Sequence, residues 1–259
     1  MIQFQNEQMT VFQSVLYQTT SAVIQTKGAI ILTDPNWLPT EIDAIKSYIE
    51  RILGERQLYI IYTHSDFDHI IADGAFPDAI TIASEAFVMR TDKEVVLDEI
   101  LDFDAQYYVT RDYPIHYPNI DVVIKEDGQQ VMLGDAKCHF YFAPGHTDDG
   151  IFTIIEPLGI FLAGDYLSDV EFPFLSNYAA YVATLEKAQQ LIAYFDVRML
   201  VPGHGQTTTR RLEMETRLAE SQRYLQDLKQ GVDQEERLAK RYPFYRSLKD
   251  MHEANKKAL

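Results

Sequence analysis

Cysteine is nearly absent. Cys138 is the only one in 259 residues, so no intrachain disulfide can form and a reducing compartment suits the chain. Basic residues are also scarce, 23 against 39 acidic ones, for a formal net charge of −16 and a pI near 4.7. A surface that negative repels phosphate backbones and anionic headgroups, which argues against a nucleic-acid or membrane partner. A small-molecule substrate remains compatible, because bound dications invert a local field. No apolar run is long enough to span a bilayer, and Met1-Ile2-Gln3-Phe4-Gln5 has neither the basic nor the apolar region of a secretion signal. The expectation is a soluble, cytoplasmic protein. Repeats, low-complexity tracts and flexible linkers are absent too, as is the Gly-x-Ser-x-Gly elbow of serine hydrolases.

Hydrophobic residues make up 46% of the chain, enough for a sizeable core. Residues 9–33 read as strands broken at Thr19-Thr20-Ser21 and Lys27-Gly28, the last stopping at Pro35, which cannot donate to a ladder. Ile42, Ile45, Ile49 and Ile52 recur at helical spacing after a capping box at Thr40. Strands follow at 57–62 and 79–83, then a helix over 85–103 and an aromatic loop over 107–117. Further strands are predicted at 120–124, 129–133, 137–142, 150–155, 159–163 and 198–201, with a helix at 178–195. Beyond Thr207 the chain is charged and helical. Two groups of strands with flanking helices predict an α/β fold, two sheets packed face to face under helices.

The chemistry concentrates at strand ends. Thr63-His64-Ser65-Asp66-Phe67-Asp68-His69 follows the apolar run 57–62 and packs four potential metal ligands into six residues. As a lone His-x-Asp it would be an exposed polar turn, but three later features point the same way. Ala143-Pro144-Gly145-His146 and Val201-Pro202-Gly203-His204 each run from an apolar strand through Pro and Gly to an imidazole. Ala163-Gly164-Asp165 does the same with a carboxylate. Four histidines with Asp68 and Asp165 in such positions predict a metal site. His116, His139 and His252 fall outside the pattern and read as surface or satisfied side chains, and Cys138 as an inert strand residue.

These motifs in this order, Asp34, the 64–69 cluster, His146, Asp165 and His204, resemble the metallo-β-lactamase-fold hydrolase superfamily over residues 10–205. The resemblance implies an αβ/βα four-layer sandwich with a dinuclear site along one edge. By it, His64, Asp66 and His146 would hold one metal, Asp68, His69 and His204 the other, Asp165 would bridge them, and Asp34 would support the ligand loop. The usual cluster is His-x-His-x-Asp-His, and here Asp66 replaces an imidazole. A carboxylate there suits iron or manganese as well as zinc, as in the flavodiiron proteins, whose flavin-binding domain has no counterpart here. It also leaves open a partly vacant first site.

The expected domains are a sandwich over 1–206, in which 84–118 is a helical and loop insertion able to act as a lid, and a C-terminal helical segment over 207–259 packed on it. The expected function is a metal-dependent hydrolase with two divalent ions, in which a bridging hydroxide attacks a small ester, thioester or lactone and Asp68 assists the proton transfer. A non-haem iron redox or dioxygenase protein and a non-catalytic metal-binding protein are the alternatives. Nuclease and β-lactamase activities are disfavoured by the charge and by the helical tail. Tyr166 and Phe172, in the aromatic loop after Asp165, are expected to contact the substrate.

Overall fold

The computed structural model describes residues 1–259. The first half of the chain runs β1 (Ile2–Gln5), β2 (Met9–Gln13), β3 (Thr20–Gln25), β4 (Ala29–Thr33), α1 (Pro39–Leu53), β5 (Gln57–Ile61), α2 (Phe67–Ile70), β6 (Ile80–Ser84), α3 (Glu85–Met89), α4 (Lys93–Tyr107) and β7 (Val122–Ile124). The second half comprises β8 (Gln129–Leu133), β9 (Ala136–Phe142), β10 (Ile151–Glu156), β11 (Ile160–Leu162), α5 (Tyr178–Tyr194), β12 (Met199–Val201), α6 (Arg211–Lys229), α7 (Glu235–Arg241) and α8 (Tyr245–Lys257).

β1 to β7 form one sheet in sequence order, antiparallel as far as β4 and parallel from there on. The second sheet has the order β12-β11-β10-β9-β8, and only its β11–β12 pair is parallel. The parallel stretch explains why β4 reads Ala-Ile-Ile-Leu-Thr without polar alternation: it is covered on both faces. Ile31 points between the sheets, whereas Ile30 and Leu32 point toward the α1 side. β10 divides likewise, with Ile151 and Ile155 between the sheets and Phe152 and Ile154 toward the α5 side.

Three buried apolar clusters therefore separate four layers, helices, sheet, sheet and helices. Parallel neighbours end on the same side, so the C-terminal ends of β4 and β5 meet along one edge, and β11 and β12 supply a second parallel pair. α6, α7 and α8 cover the second sheet. Met214, Leu218, Leu225, Leu228, Leu238 and Tyr245 are buried against α5 and its neighbours.

Several details differ from the sequence reading. β1 is an unexpected edge strand whose Ile-Gln-Phe-Gln is too short and too exposed to leave a strong pattern. α1 starts at Pro39, and Glu41, not the expected Thr40 box, accepts the Leu38 N–H at 3.0 Å. The helix expected over 85–103 is two helices, with the break at Arg90–Asp92. α4 is fastened where Arg111 pairs with Asp104 at 2.8 Å and donates to the Trp37 carbonyl at 2.8 Å. Cys138 is fully buried, and burial pushes its thiol up to about 12. A thiol reagent at neutral pH is thus expected to label only unfolded protein, and labelling of the native chain at the free-thiol rate would contradict this packing.

Candidate metal centre

The site is built from strand ends that backbone pairing has already brought together. β5 ends at Ile61, and Thr63 follows with both its N–H and its hydroxyl on the Asp34 carboxylate, at 2.8 and 2.6 Å. Asp34 closes β4, the strand beside β5, so one carboxylate anchors the ligand loop to its neighbour. The same group receives the Nδ1 of His69 at 3.0 Å.

Every imidazole of the cleft is oriented in the same way. Nδ1 of His64 lies 3.1 Å from the Thr63 hydroxyl, that of His146 3.1 Å from the Phe174 carbonyl, and that of His204 2.9 Å from the Tyr17 carbonyl. With Nδ1 engaged on an oxygen, each ring turns its Nε2 inward, the arrangement in which a histidine presents a lone pair to a cation.

The Nε2 atoms meet carboxylates there. Asp66 Oδ2 is 3.5 Å from His64 and 3.1 Å from His146, and Asp68 Oδ2 is 3.5 Å from His69 and 3.4 Å from His204. Asp165 spans both groups, with Oδ2 3.1 Å from His146 and 3.3 Å from His204 and Oδ1 3.1 Å from His69. One ligand atom from each of His64, Asp66, His146 and Asp165 lies within 4.8 Å of the others, and the same holds for Asp68, His69 and His204. His64 Nε2 and Asp165 Oδ1 are buried without any hydrogen-bond partner, although Oδ1 lies so near His69. Close approach without alignment is what donors aimed at a common point show, and the set fits two cations. All seven ligand candidates and Asp34 are thus in one cleft.

Two glycines make this convergence possible. A Cβ on Gly203 would stand 2.2 Å from Asp165 Oδ1 and 3.0 Å from His69 Cε1. Gly145, with φ +123°, passes so close to α5 that a Cβ would lie 2.3 Å from the Tyr181 nitrogen.

The electrostatics favour cations. Burial pushes Asp165 up, but His204, His69 and His64 outweigh it and hold its carboxyl well below the usual range. Burial likewise raises Asp66, but the imidazoles of His146 and His64 beside it outweigh this and hold its carboxyl well below the usual range. Burial lowers His204, but Asp165 and Glu171 overcome it and bring the imidazole up to about 10, and His69 and His146 are also raised well above the ordinary value. Raised imidazoles keep their protons through neutral pH, so a dication must displace them. Metal uptake is expected to release protons, with affinity climbing as pH rises toward about 10. Calorimetry in buffers of different ionisation enthalpy measures this, and buffer-independent heats would contradict it.

The two residues expected to contact substrate are buried. Tyr166 is 3% exposed and its hydroxyl holds the turn that carries His146, donating to the Pro144 carbonyl at 2.8 Å and accepting the His146 N–H at 3.0 Å. Phe172 is 2% exposed, packed among Tyr224, Tyr242 and Tyr245. Both turn inward because an aromatic loop under α6 and α8 has a core to fill. His252 is buried against the Tyr224 hydroxyl at 2.9 Å, and His116 lies on Asp73 at 3.1 Å.

The sequence reading missed Glu171, whose carboxylate lies 3.9 Å from His204 Nδ1 and which burial pushes up to about 7. It also missed the Tyr17 carbonyl, a backbone acceptor that no side-chain pattern announces.

A four-layer αβ/βα sandwich thus carries, at one edge, paired His/Asp clusters that could hold metal ions. The sequence matches the metallo-beta-lactamase superfamily over residues 15–204, and the chain belongs to that family. A search of curated protein sequences returned no match. Among solved structures, the chain is similar to a metallo-beta-lactamase from Pontibacter korlensis at 16% identity and TM-score 0.60, covering 88% of this chain and 99% of that one. It is also similar to a stereoselective inverting sec-alkylsulfatase from Pseudomonas sp. (11% identity, TM-score 0.67), covering 87% of this chain and 41% of that one. A third likeness is to the rubredoxin oxygen:oxidoreductase of Desulfovibrio gigas (13%, TM-score 0.59), with coverages of 88% and 62%. At such identities the likeness speaks for the fold alone. No helix is long and apolar enough to cross a membrane.

Proposed function

We propose that the chain is a dinuclear metal-dependent hydrolase of a small ester, thioester, lactone or related carbonyl compound. The observation that carries this reading is the inward turn of four Nε2 atoms onto three carboxylates, each ring fixed from behind through Nδ1. His64, Asp66 and His146 would hold one divalent ion and Asp68, His69 and His204 the other, with Asp165 reaching both. Each cluster then has two imidazoles and one carboxylate of its own. Zinc is the ion we assign, and Asp66 makes iron and manganese competent as well.

When bound, such a pair acidifies water and polarises a carbonyl. The chain's own part is orientation. Asp34, Thr63 and the carbonyls of Phe174 and Tyr17 hold the rings so that no reorganisation is needed during reaction. Asp68, which accepts from the Thr19 hydroxyl at 3.5 Å, is assigned to orient the nucleophile and return its proton to the leaving group.

Metal-loaded protein is expected to cleave at least one class among p-nitrophenyl esters, thioesters and lactones, to lose this on chelation and to regain it on adding metal. Turnover that survives chelation would refute the proposal. A second reading, redox chemistry on an iron pair, is favoured by Asp66 and by the same cleft. Oxygen consumption by iron-loaded protein, without cleavage of any panel member, would support it instead.

A further inference from the structure

Ahead of α5 the chain runs from Phe172 to Ser176 as neither helix nor strand, so its backbone groups need partners elsewhere. The Phe174 carbonyl faces His146 Nδ1 at 3.1 Å. The backbone groups on either side of it are taken by one side chain, that of Asn255 on α8. Its Nδ2 donates to the Pro173 carbonyl at 2.6 Å, and its Oδ1 accepts the Leu175 N–H at 3.0 Å. Nδ2 also donates to the Tyr224 hydroxyl at 2.8 Å, which is itself 2.9 Å from His252 Nδ1. Asn255 is 1% exposed, and asparagine is a poor helix former, so neither solvation nor propensity accounts for it in α8. A planar amide offers a donor and an acceptor together, which is what the backbone around Phe174 requires.

We propose that Asn255 is a positioning residue of the metal centre, holding Phe174 so that its carbonyl aims the His146 imidazole at the cluster of His64, Asp66 and His146. The assignment rests on reading His146 as a metal ligand and adds the residue on which its aim depends. The C-terminal helices thereby become part of the centre, although they supply no ligand to it. Other contacts hold the turn but not the ring. Ser176 and Asn177 donate their N–H groups to the Gly145 carbonyl at 2.8 and 3.1 Å, and the His146 N–H reaches the Tyr166 hydroxyl. Rotation of the imidazole is stopped at Nδ1 by the Phe174 carbonyl. Because His69 and His204 belong to the other cluster and are oriented by Asp34 and the Tyr17 carbonyl, loosening Asn255 should act on one ion only.

The test compares Asn255→Asp with Tyr224→Phe in the full chain. The first keeps the acceptor for Leu175 but turns an oxygen onto the Pro173 carbonyl. The second loosens the same buried network without touching residues 173–175. Asn255→Ser, uncharged but too short to bridge both backbone groups, is measured in parallel in case the acidic variant does not fold. Competition with a zinc chelator gives two affinities, assigned to the clusters with His146→Ala and His204→Ala. Both Asn255 variants are expected to lower affinity at the His146 cluster roughly tenfold and to leave the other unchanged. Tyr224→Phe should lower the melting temperature and spare both affinities. In nitrogen-labelled protein the His146 Nδ1–H, identified by its absence from His146→Ala, should be sharp in the wild type and broadened in the Asn255 variants. Unchanged affinity at the His146 cluster, equal loss at both clusters, an equal loss in Tyr224→Phe, or an unaltered Nδ1–H would overturn the inference. The Nδ1–H is read on metal-free protein too, so a wild type that binds no zinc would refute the metal reading while that signal still decides the role of Asn255.

Discussion

Replacing Asp165 with alanine is expected to abolish activity and to remove metal from both clusters at once. Its two oxygens lie between the clusters, 3.1 Å from His69 on one side and 3.1 Å from His146 on the other. No other carboxylate of the site does this, since Asp66 serves only His64 and His146, and Asp68 only His69 and His204. Loss of a residue behind a ligand costs roughly 10- to 100-fold in metal affinity or activity, so loss of a ligand common to both ions should exceed about 100-fold. The fold should survive, because Asp165 sits at the tip of β11 and the three apolar clusters do not include it. Elemental analysis and a p-nitrophenyl ester assay on the folded variant check this. Full stoichiometry with intact activity would remove Asp165 from the centre.

The second large effect comes from a residue with no functional group. Gly203→Ala puts a methyl 2.2 Å from Asp165 Oδ1 and 3.0 Å from the Gly164 carbonyl carbon, so the carboxylate or the backbone must move. Overpacking of this kind costs about 1–3 kcal/mol. The displaced group is the shared ligand, so metal affinity should fall by roughly 10- to 100-fold, even though no donor was deleted. Thermal melts of the metal-free protein separate the packing cost from the loss of affinity, and competition with a chelator reads the affinity. Unchanged affinity would mean that the close approach at Gly203 is not what aims Asp165.

The contrast between these two positions explains why much of the centre was legible in the sequence. A metal ligand must be a particular side chain, and a strand that ends in Pro-Gly-His or Gly-Asp announces both the donor and the turn that aims it. Burial on both faces likewise leaves runs such as Ala-Ile-Ile-Leu-Thr in β4, from which the layered arrangement follows. The supporting atoms are hidden because they are generic. The carbonyls of Tyr17 and Phe174 orient two imidazoles, yet every residue has a carbonyl, and tertiary contact alone selects these two. The burial of Tyr166 and Phe172 was hidden for the same reason: proximity to Asp165 in the chain does not decide which way a side chain of the loop turns. The break between α3 and α4 left no trace because Arg-Thr-Asp carries neither glycine nor proline.

The Asp66 carboxylate is the chain's most distinctive departure, and its consequence is chemical, not architectural. It stands where a third imidazole would complete the first cluster, within 3.5 Å of His64 and 3.1 Å of His146. The two clusters are thereby matched in donor type, which would lower the positive charge left over once metal is bound and widen the set of acceptable ions.

The most direct measurement is the metal content of the chain, purified without added metal and again after reloading and desalting. Two equivalents per chain are expected, falling toward one when His204 is replaced by alanine and toward none when Asp165 is. Wild-type protein that retains no metal after reloading, or those variants at full stoichiometry, would contradict the claim that seven side chains from separate strand ends were brought together to hold two ions.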